Sequence, residues 1–256
     1  MSDPLILKLD RVSKHFARVE TDGITNALEG INLELHEGEF VSIVGTSGCG
    51  KSTLLRLIAG LLRPTTGTLT VNGEPITGPA PDRGMVFQQP TLFPWLTVEK
   101  NISFSFRMRH KLKENEAHVS RILDVIKLTA FKDDYPSQLS GGMAQRVALA
   151  RTLICQPKIL LLDEPLGALD AFTRMNMQDE ILSSWRTARQ LAIMVTHDID
   201  EAIYMGTRVI VMEPHPGRIM GEIPIRLDYP RNRSSSQFVE YRNQILDMLH
   251  FGLNEK

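Results

Sequence analysis

The sequence predicts an α/β fold with a mostly parallel sheet, and two observations support this fold class. Short runs that are almost entirely apolar, such as residues 40–44, are typical of strands buried on both faces of a sheet. Segments with helical periodicity alternate with these runs, which is the order expected when helices cover both faces of a sheet. We therefore expect a large buried core, which a chain of 256 residues can build.

The individual elements follow this alternation along the chain. A helical pattern over residues 51–62 ends before Pro64, because proline disfavours helix at the residue before it. We predict further strands at residues 68–71, 84–87, 158–162, 191–196 and 208–212. Between the fourth and fifth of the predicted strands, counting residues 40–44 as the first, we predict a helix that buries Met177, Ile181, Leu182 and Trp185.

The middle of the chain differs in character, which determines the predicted domain organisation. Residues 89–155 carry helical patterns and form a predicted α-helical subdomain, inserted into a core made of residues 1–88 and 156–230. We predict an antiparallel β region near the N-terminus. Residues 231–256 form a predicted C-terminal helical tail with Phe238, Tyr241, Ile245 and Leu249 on one face. All of these parts belong to a single domain over residues 1–256.

Composition and charge exclude several classes of function. The net charge of −1 argues against a basic nucleic-acid-binding surface, so we expect no nucleic-acid partner. Cys49 and Cys155 form no disulfide framework, which fits a reducing compartment. Residues 1–10 do not read as a secretory signal, and no apolar run reaches the ~20 residues that span a bilayer. A membrane role would therefore need partner chains.

A phosphate-binding motif follows the first apolar run. Residues 45–53, GTSGCGKST, match the P-loop pattern G-x-x-x-x-G-K-[ST] between a predicted strand and a predicted helix. Glycines let backbone N–H groups curl around an anion, and the helix N-terminus adds its positive end. The Lys51 ammonium should reach the β- and γ-phosphates, and the Ser52 hydroxyl should bind Mg²⁺. The predicted nucleotide-binding residues are Gly45, Thr46, Ser47, Gly48, Cys49, Gly50, Lys51, Ser52 and Thr53.

Two carboxylates follow the predicted strand at residues 158–162. Ligands of parallel α/β sheets bind at the carboxyl ends of the strands, where Asp163 can hold Mg²⁺. Glu164 comes one residue later and can polarise an attacking water. A plain acidic turn would also follow a strand, but the P-loop elsewhere in the chain favours the catalytic interpretation.

Residues 139–146, LSGGMAQR, separate this chain from other P-loop NTPases, because they resemble the LSGGQ signature of ABC ATPases. Ser140, Gly141 and Gly142 keep the core that faces phosphate in that family, while Met143 replaces the usual glutamine. The resemblance covers about residues 7–223. It implies a P-loop NTPase (RecA-like) core that binds and hydrolyses ATP with Mg²⁺.

The resemblance assigns further residues. Gln88 resembles the Q-loop glutamine, a γ-phosphate sensor and metal ligand, and His197 resembles the switch histidine. Asp170 resembles the D-loop aspartate, and Phe16 sits where the family places an aromatic ring against adenine. Two alternatives stay open: His197 could simply cap a helix, and Phe16 could belong to the core.

The resemblance also implies partners. ABC ATPases work as head-to-tail pairs, so ATP held by Lys51, Ser52 and Asp163 of one subunit would be closed by Ser140 and Gly142 of a second ABC ATPase subunit. Integral membrane permease subunits would dock on the helical subdomain, and an extracytoplasmic solute-binding protein would deliver the solute. The expected location is peripheral, on the cytoplasmic face of the inner membrane.

Four segments resemble the importers of nitrate, sulfonate and taurine: residues 92–96, LFPWL; residues 163–174, DEPLGALDAFTR; residues 197–202, HDIDEA; and residues 214–218, PHPGR. Phe93 and Trp95 suit an aromatic contact with a membrane subunit, although both rings could instead pack inside the lobe. The alternatives are the ATPase of an ABC exporter or a non-transport ABC ATPase.

Overall fold

The computed structural model describes residues 4–17 and 23–249. The strands of these ranges are, in chain order, β1 (Leu5–Ala17), β2 (Ile24–His36), β3 (Phe40–Gly45), β4 (Thr66–Val71), β5 (Glu74–Pro75), β6 (Arg83–Val86), β7 (Ile159–Asp163), β8 (Leu191–Val195), β9 (Arg208–Glu213) and β10 (Arg218–Pro224). The helices are α1 (Lys51–Ile58), α2 (Val98–Ile102), α3 (Phe104–Met108), α4 (Leu112–Val125), α5 (Gly141–Leu153), α6 (Ala171–Ala188), α7 (Ile199–Met205) and α8 (Ser236–Met248). No helix among these is long and apolar enough to cross a membrane.

The described residues fall into two compact units. The first contains the chain up to Ala80 and again from Arg189, and the second is Pro81–Ala188. The predicted division into a core and a helical subdomain stays a prediction.

Two sheets build the first unit. One is antiparallel, with strand order β2-β1-β4-β5, as predicted for the N-terminal region. In the other, β3 pairs in parallel with both β8 and β9, and β10 pairs with β9 in antiparallel fashion. Every residue of β3 and β8 is buried, which explains why both strands are apolar runs without alternation.

Helix α1 contacts strands of both sheets, and it ends earlier than the sequence predicts. The expected end was residue 62, but the last helical residue is Ile58. Gly60 has a φ of 77° and follows the C-cap Ala59, while Leu61 N–H donates back to the Arg56 carbonyl. The left-handed glycine closes the helix before Pro64 can do so.

The second unit consists of a parallel pair, β6 and β7, with five helices. The pairing register joins Val86 with Leu162. Helix α5 contacts β6 and α2, and its Arg146 donates to the Ile126 carbonyl at the end of α4 at 2.6 Å. The apolar residues predicted for α6, including Met177 and Trp185, are buried. These contacts give α5 a central place in the unit.

Candidate functional site

Residues 45–53 connect β3 to α1 and are fixed by tight packing. Gly50 has a φ of 91°, and a Cβ added there would lie 2.6 Å from the Ala27 carbonyl oxygen. A side chain at this position would therefore be strained and would clash with the backbone of β2. The turn keeps the N-terminus of α1 open for the anion that the sequence predicts.

The Lys51 ammonium lies inside this turn. It donates to the carbonyl oxygens of Gly45 at 2.7 Å and Thr46 at 3.1 Å, and Lys51 is only 7% exposed. The Thr46 hydroxyl oxygen is buried and has no hydrogen-bond partner among the described residues. A buried cation beside an unsatisfied hydroxyl suits a polar, anionic ligand.

His197 belongs to the same unit as the P-loop. The parallel register joins Ile43 with Val195, so the chain reaches His197 two residues beyond β8, at the sheet edge where β3 ends at Gly45. His197 is exposed. The open alternative was that His197 caps a helix, and it is wrong, because the cap of α7 is Asp198, which accepts from Glu201 N–H at 3.1 Å. Capping by Asp198 leaves the imidazole outside the helix.

Phe16 lies near the end of β1 and pairs with Thr25 of β2. Its ring is 38% exposed, and the Lys14 ammonium lies 5.1 Å from the ring centroid. The ring is thus on the surface rather than in the core, as adenine stacking would require. Its role toward a nucleotide stays a prediction.

The acidic pair and the Q-loop glutamine lie in the second unit. Asp163 is the last residue of β7 and is 2% exposed. The register that joins Val86 with Leu162 brings Gln88 beside Glu164, two residues further along each strand. Gln88 Nε2 donates to Glu164 Oε2 at 3.0 Å. Two predicted catalytic residues are therefore in direct contact.

The signature residues Ser140, Gly141 and Gly142 form the N-terminus of α5. Ser140 is the N-cap, and its hydroxyl oxygen accepts from Met143 N–H at 3.3 Å. This bond uses a lone pair, so the hydroxyl proton remains available to an anion. The N–H groups of Gly141 and Gly142 belong to the first helical turn, which provides them with no acceptor. This end of α5 therefore has the geometry of a second helix terminus that can bind an anion, and its binding role stays a prediction.

Asp170 caps α6 by accepting from Thr173 N–H at 3.0 Å. Hydrogen bonds from the Thr173 side chain and backbone hold the pKa of Asp170 below its ordinary value. Leu169, one residue earlier, packs against the signature, because a Cβ at Gly142 would lie 3.3 Å from Leu169 Cδ2.

The loop after Gln88 carries two aromatic rings, Phe93 and Trp95, which the sequence left as either exposed or packed inside the lobe. The structure gives a different answer for each ring. Phe93 packs in the lobe, with its ring centroid 4.4 Å from that of Phe104. Trp95 is 69% exposed. Asn101 holds the loop, because its amide donates to the carbonyls of Phe93, Leu96 and Thr97. Only Trp95 is available as an exposed anchor.

Two buried polar residues of this region were not predicted from the sequence. Asn101 is fully buried, and Gln145 of α5 is 1% exposed. Gln145 Nε2 donates to the Phe87 carbonyl, at 3.3 Å. The sequence offered one signal for Gln145, since residues 147–150 of the same helix are all apolar and indicate burial. A buried amide needs a hydrogen-bond partner.

Comparison with known proteins identifies the family. A model described as ABC transporter matches residues 28–167, which is more than half of the chain. The chain belongs to the ABC transporter family. The aliphatic sulfonates import ATP-binding protein SsuB of Bacillus cereus (strain ZK / E33L) is 44% identical to this ABC cassette over 248 residues, covering 97% of each chain. The ABC transporter ATP-binding protein MJ0412 of Methanocaldococcus jannaschii is 46% identical over 245 residues, covering 95% of this chain and 91% of the relative.

A solved structure supports the fold. The ATP-binding cassette MJ0796, solved as a dimer in a post-hydrolysis state with ADP and Pi, superimposes with a TM-score of 0.78. It is 33% identical, and the match covers 87% of this chain and 100% of that chain. These matches confirm the predicted α/β fold of P-loop NTPases and the prediction that this ABC cassette is an ATP-hydrolysing transporter subunit.

Proposed function

We propose that this chain powers the import of aliphatic sulfonates, and that it does so as one of two cassettes that close on ATP. One observation supports the paired mechanism: among the described residues, the P-loop precedes α1 and the signature precedes α5, so each of these two helix N-termini is a candidate for binding phosphate. The dimeric form of the similar cassette MJ0796 supports pairing. Each ATP would be held by the P-loop of one subunit and the signature of the other.

The proposed roles follow from the chemistry of each group. Lys51 and the N-terminal N–H groups of α1 neutralise the phosphates of ATP, and Ser140 with Gly141 and Gly142 of the partner complete the enclosure. Glu164 accepts a proton from the attacking water, and Gln88 orients the Glu164 carboxylate through the bond at 3.0 Å. His197 contacts the γ-phosphate, and Phe16 stacks on adenine.

The proposed Mg²⁺ ligands are the Ser52 hydroxyl, the Asp163 carboxylate and the Gln88 amide oxygen. All three are hard oxygen donors, which is the set that Mg²⁺ prefers beside nucleotide phosphates. The hydrogen bond to Glu164 uses the nitrogen of the Gln88 amide, so the amide oxygen is the atom that can bind the ion. When bound, the ion neutralises phosphate charge.

Whole-length likeness to SsuB supports the substrate class and favours import over export or a non-transport role. We propose that integral membrane permease subunits bind the lobe that carries Trp95, and that an extracytoplasmic solute-binding protein supplies the sulfonate. The chain would then lie peripherally on the cytoplasmic face of the inner membrane. Co-purification from native membranes tests this assembly, and an aliphatic sulfonate should stimulate the ATPase activity of the complex. Stimulation by an unrelated solute instead would contradict the substrate class.

The substitution Glu164→Gln tests the catalytic assignment. We expect the variant to bind ATP and to accumulate as a dimer, because it keeps the shape of the site and loses the group that accepts the proton from water. Light scattering after size-exclusion chromatography measures the dimer, and phosphate release measures hydrolysis. Glu114→Gln, on the exposed first turn of α4, is the matched control and should behave like the wild type. Fast hydrolysis by Glu164→Gln would contradict the role of Glu164.

A further inference from the structure

Two consecutive hydrogen bonds connect α5 to Glu164. Gln145 Nε2 donates to the Phe87 carbonyl at 3.3 Å, and Gln88 Nε2 donates to Glu164 Oε2 at 3.0 Å. All four residues lie in the second unit. The start of α5 is the signature, so the bonds link the two functional ends of this unit.

The first bond acts on the backbone of Gln88. The Phe87 carbonyl and the Gln88 N–H belong to one planar peptide group, so fixing the carbonyl also fixes the direction in which the Gln88 Cα leaves the strand. Only the nitrogen of the Gln145 amide can face a carbonyl oxygen, which determines the orientation of the amide. Gln145 therefore fixes the position of the Gln88 Cα, from which the Gln88 side chain extends.

Helix α5 is also packed firmly against β6, which precedes Gln88. A Cβ added at Gly84 would lie 2.8 Å from Thr152 Cγ2, so strand and helix touch without a gap. The Thr152 hydroxyl lies 3.5 Å from the Met85 carbonyl and 3.2 Å from the Ala148 carbonyl. A displacement of α5 by a ligand at Ser140 would therefore move β6 and the Phe87–Gln88 peptide with it.

The amide oxygen of Gln145 lowers the stability of the fold. Gln145 Oε1 is buried and has no hydrogen-bond partner in the part of the chain that the structure describes. A buried acceptor without a partner is unfavourable, and a methionine of similar volume would carry no such group. The donor nitrogen is the part of the side chain that has a use.

We propose that Gln145 is a positioning residue that transmits engagement of the signature to Gln88, and through Gln88 to the Glu164 carboxylate. The inference rests on the proposed function, because it requires that the signature contacts a nucleotide held by the partner cassette. It explains how a subunit that closes on its partner's ATP can align the carboxylate that acts on its own.

The test is Gln145→Met in the full-length chain. We expect kcat for ATP hydrolysis to fall by at least about tenfold, because Glu164 loses its alignment. KM for ATP should change by less than about threefold, since the P-loop is untouched. In a Gln88→Ala background, Gln145→Met should have no further effect on kcat, because its influence passes through Gln88.

Thr152→Val is the matched control, because it removes the hydroxyl contact with the Met85 carbonyl, which does not reach the Gln88 peptide, and keeps the methyl group that packs α5 against Gly84 of β6. It should leave kcat unchanged in both backgrounds. An unchanged kcat in Gln145→Met, or equal effects with and without Gln88, would overturn the inference while wild-type hydrolysis kept the proposed function intact. A wild-type chain that hydrolyses no ATP with Mg²⁺ would overturn both.

Discussion

At the scale of single residues, the backbone of Glu164 is unusual. Its φ is 45°, in the left-handed region that glutamate rarely adopts, directly after the buried strand β7. Strained conformations of this kind concentrate at functional sites, where the surrounding structure holds them in place. In this conformation the Glu164 carboxylate accepts a hydrogen bond from Gln88 Nε2 at 3.0 Å.

This strain can be measured with two substitutions. Glu164→Gly relieves it, whereas Glu164→Ala removes the same carboxylate and keeps a Cβ in the left-handed region. We expect the glycine variant to have a free energy of unfolding about 1 kcal/mol higher than the alanine variant. Urea denaturation followed by circular dichroism provides the comparison. Equal stability of the two variants would mean that the conformation carries no strain.

Residues that belong to local motifs could be predicted from the sequence, and residues that depend on distant contacts could not. Lys51 and Asp163 are marked by their immediate neighbours, a glycine-rich turn and an apolar strand. Gln145 contacts a carbonyl 58 positions earlier in the chain, and this pairing leaves no local pattern. The direct bond between Gln88 and Glu164 likewise depends on the register of β6 and β7.

At the scale of elements, the N-terminus of α5 contains a glycine, Gly141, that the proposed function requires and the stability of the fold does not. A Cβ added at Gly141 would meet no atom within 4 Å, whereas Gly142 lies against Leu169. The folded chain therefore has room for a side chain at Gly141. Its need for glycine comes from the proposed approach of phosphate to the N–H groups of the first turn.

Gly141→Ala should accordingly fold as well as the wild type and lose ATP hydrolysis by about 100-fold, because the new methyl group would hold the phosphate away from its donors. Thermal unfolding and phosphate release measure the two properties. Gly78→Ala is the control, since its Cβ also meets no atom within 4 Å. A Gly141→Ala variant with full activity would argue against a nucleotide at this end of α5.

The types of most elements could be predicted, but their ends could not. Strands β3, β7, β8 and β9 begin within one residue of the predicted positions, because buried parallel strands are short and apolar throughout. Helix α1 ends four residues early because Gly60 adopts a left-handed conformation. The sequence shows that a glycine is present there, but the conformation depends on the close approach of the Gly78 backbone.

At the scale of the whole molecule, two arginines of the C-terminal segment, residues 231–249, hold α7 of the first unit in place through hydrogen bonds and an ion pair. Arg231 is buried and donates to the carbonyls of Ile203 and Gly206 at the end of that helix. Burial lowers the pKa of Arg231 below its usual value. Arg242 of α8 forms a two-pronged ion pair with Asp200 at the other end of α7, with N–O distances of 2.5 and 2.6 Å.

The two arginines should contribute unequally. Arg231→Met leaves buried carbonyls without donors, so we expect a loss of about 3 kcal/mol in the free energy of unfolding. Arg242→Met removes a partly exposed ion pair and should cost about 0.5 kcal/mol. Denaturant titrations measure both values. A loss of similar size in the two variants would show that the carbonyl contacts of Arg231 are not the main attachment of the C-terminal segment.

The fold class and the family could be predicted because they depend on the order of motifs, which can be read from the sequence without knowledge of any contact. The attachment of α7 by Arg231 could not be predicted, because Arg231 lies in a polar stretch after Pro230 that is typical of a loop. Its burial depends on hydrogen bonds with the carbonyl groups at the buried C-terminal end of α7, which lies 25 to 28 residues earlier in the chain.

The Lys51 ammonium, held by the Gly45 and Thr46 carbonyls, has a consequence for the thermodynamics of nucleotide capture. The turn is already shaped by the residue that we propose binds the phosphates, so the entropy of ordering it is lost during folding and not when the nucleotide binds. Binding to a single chain should then produce only a small change in heat capacity. A large negative change should appear only when two cassettes bury their facing surfaces, which makes calorimetry a way to separate capture from closure.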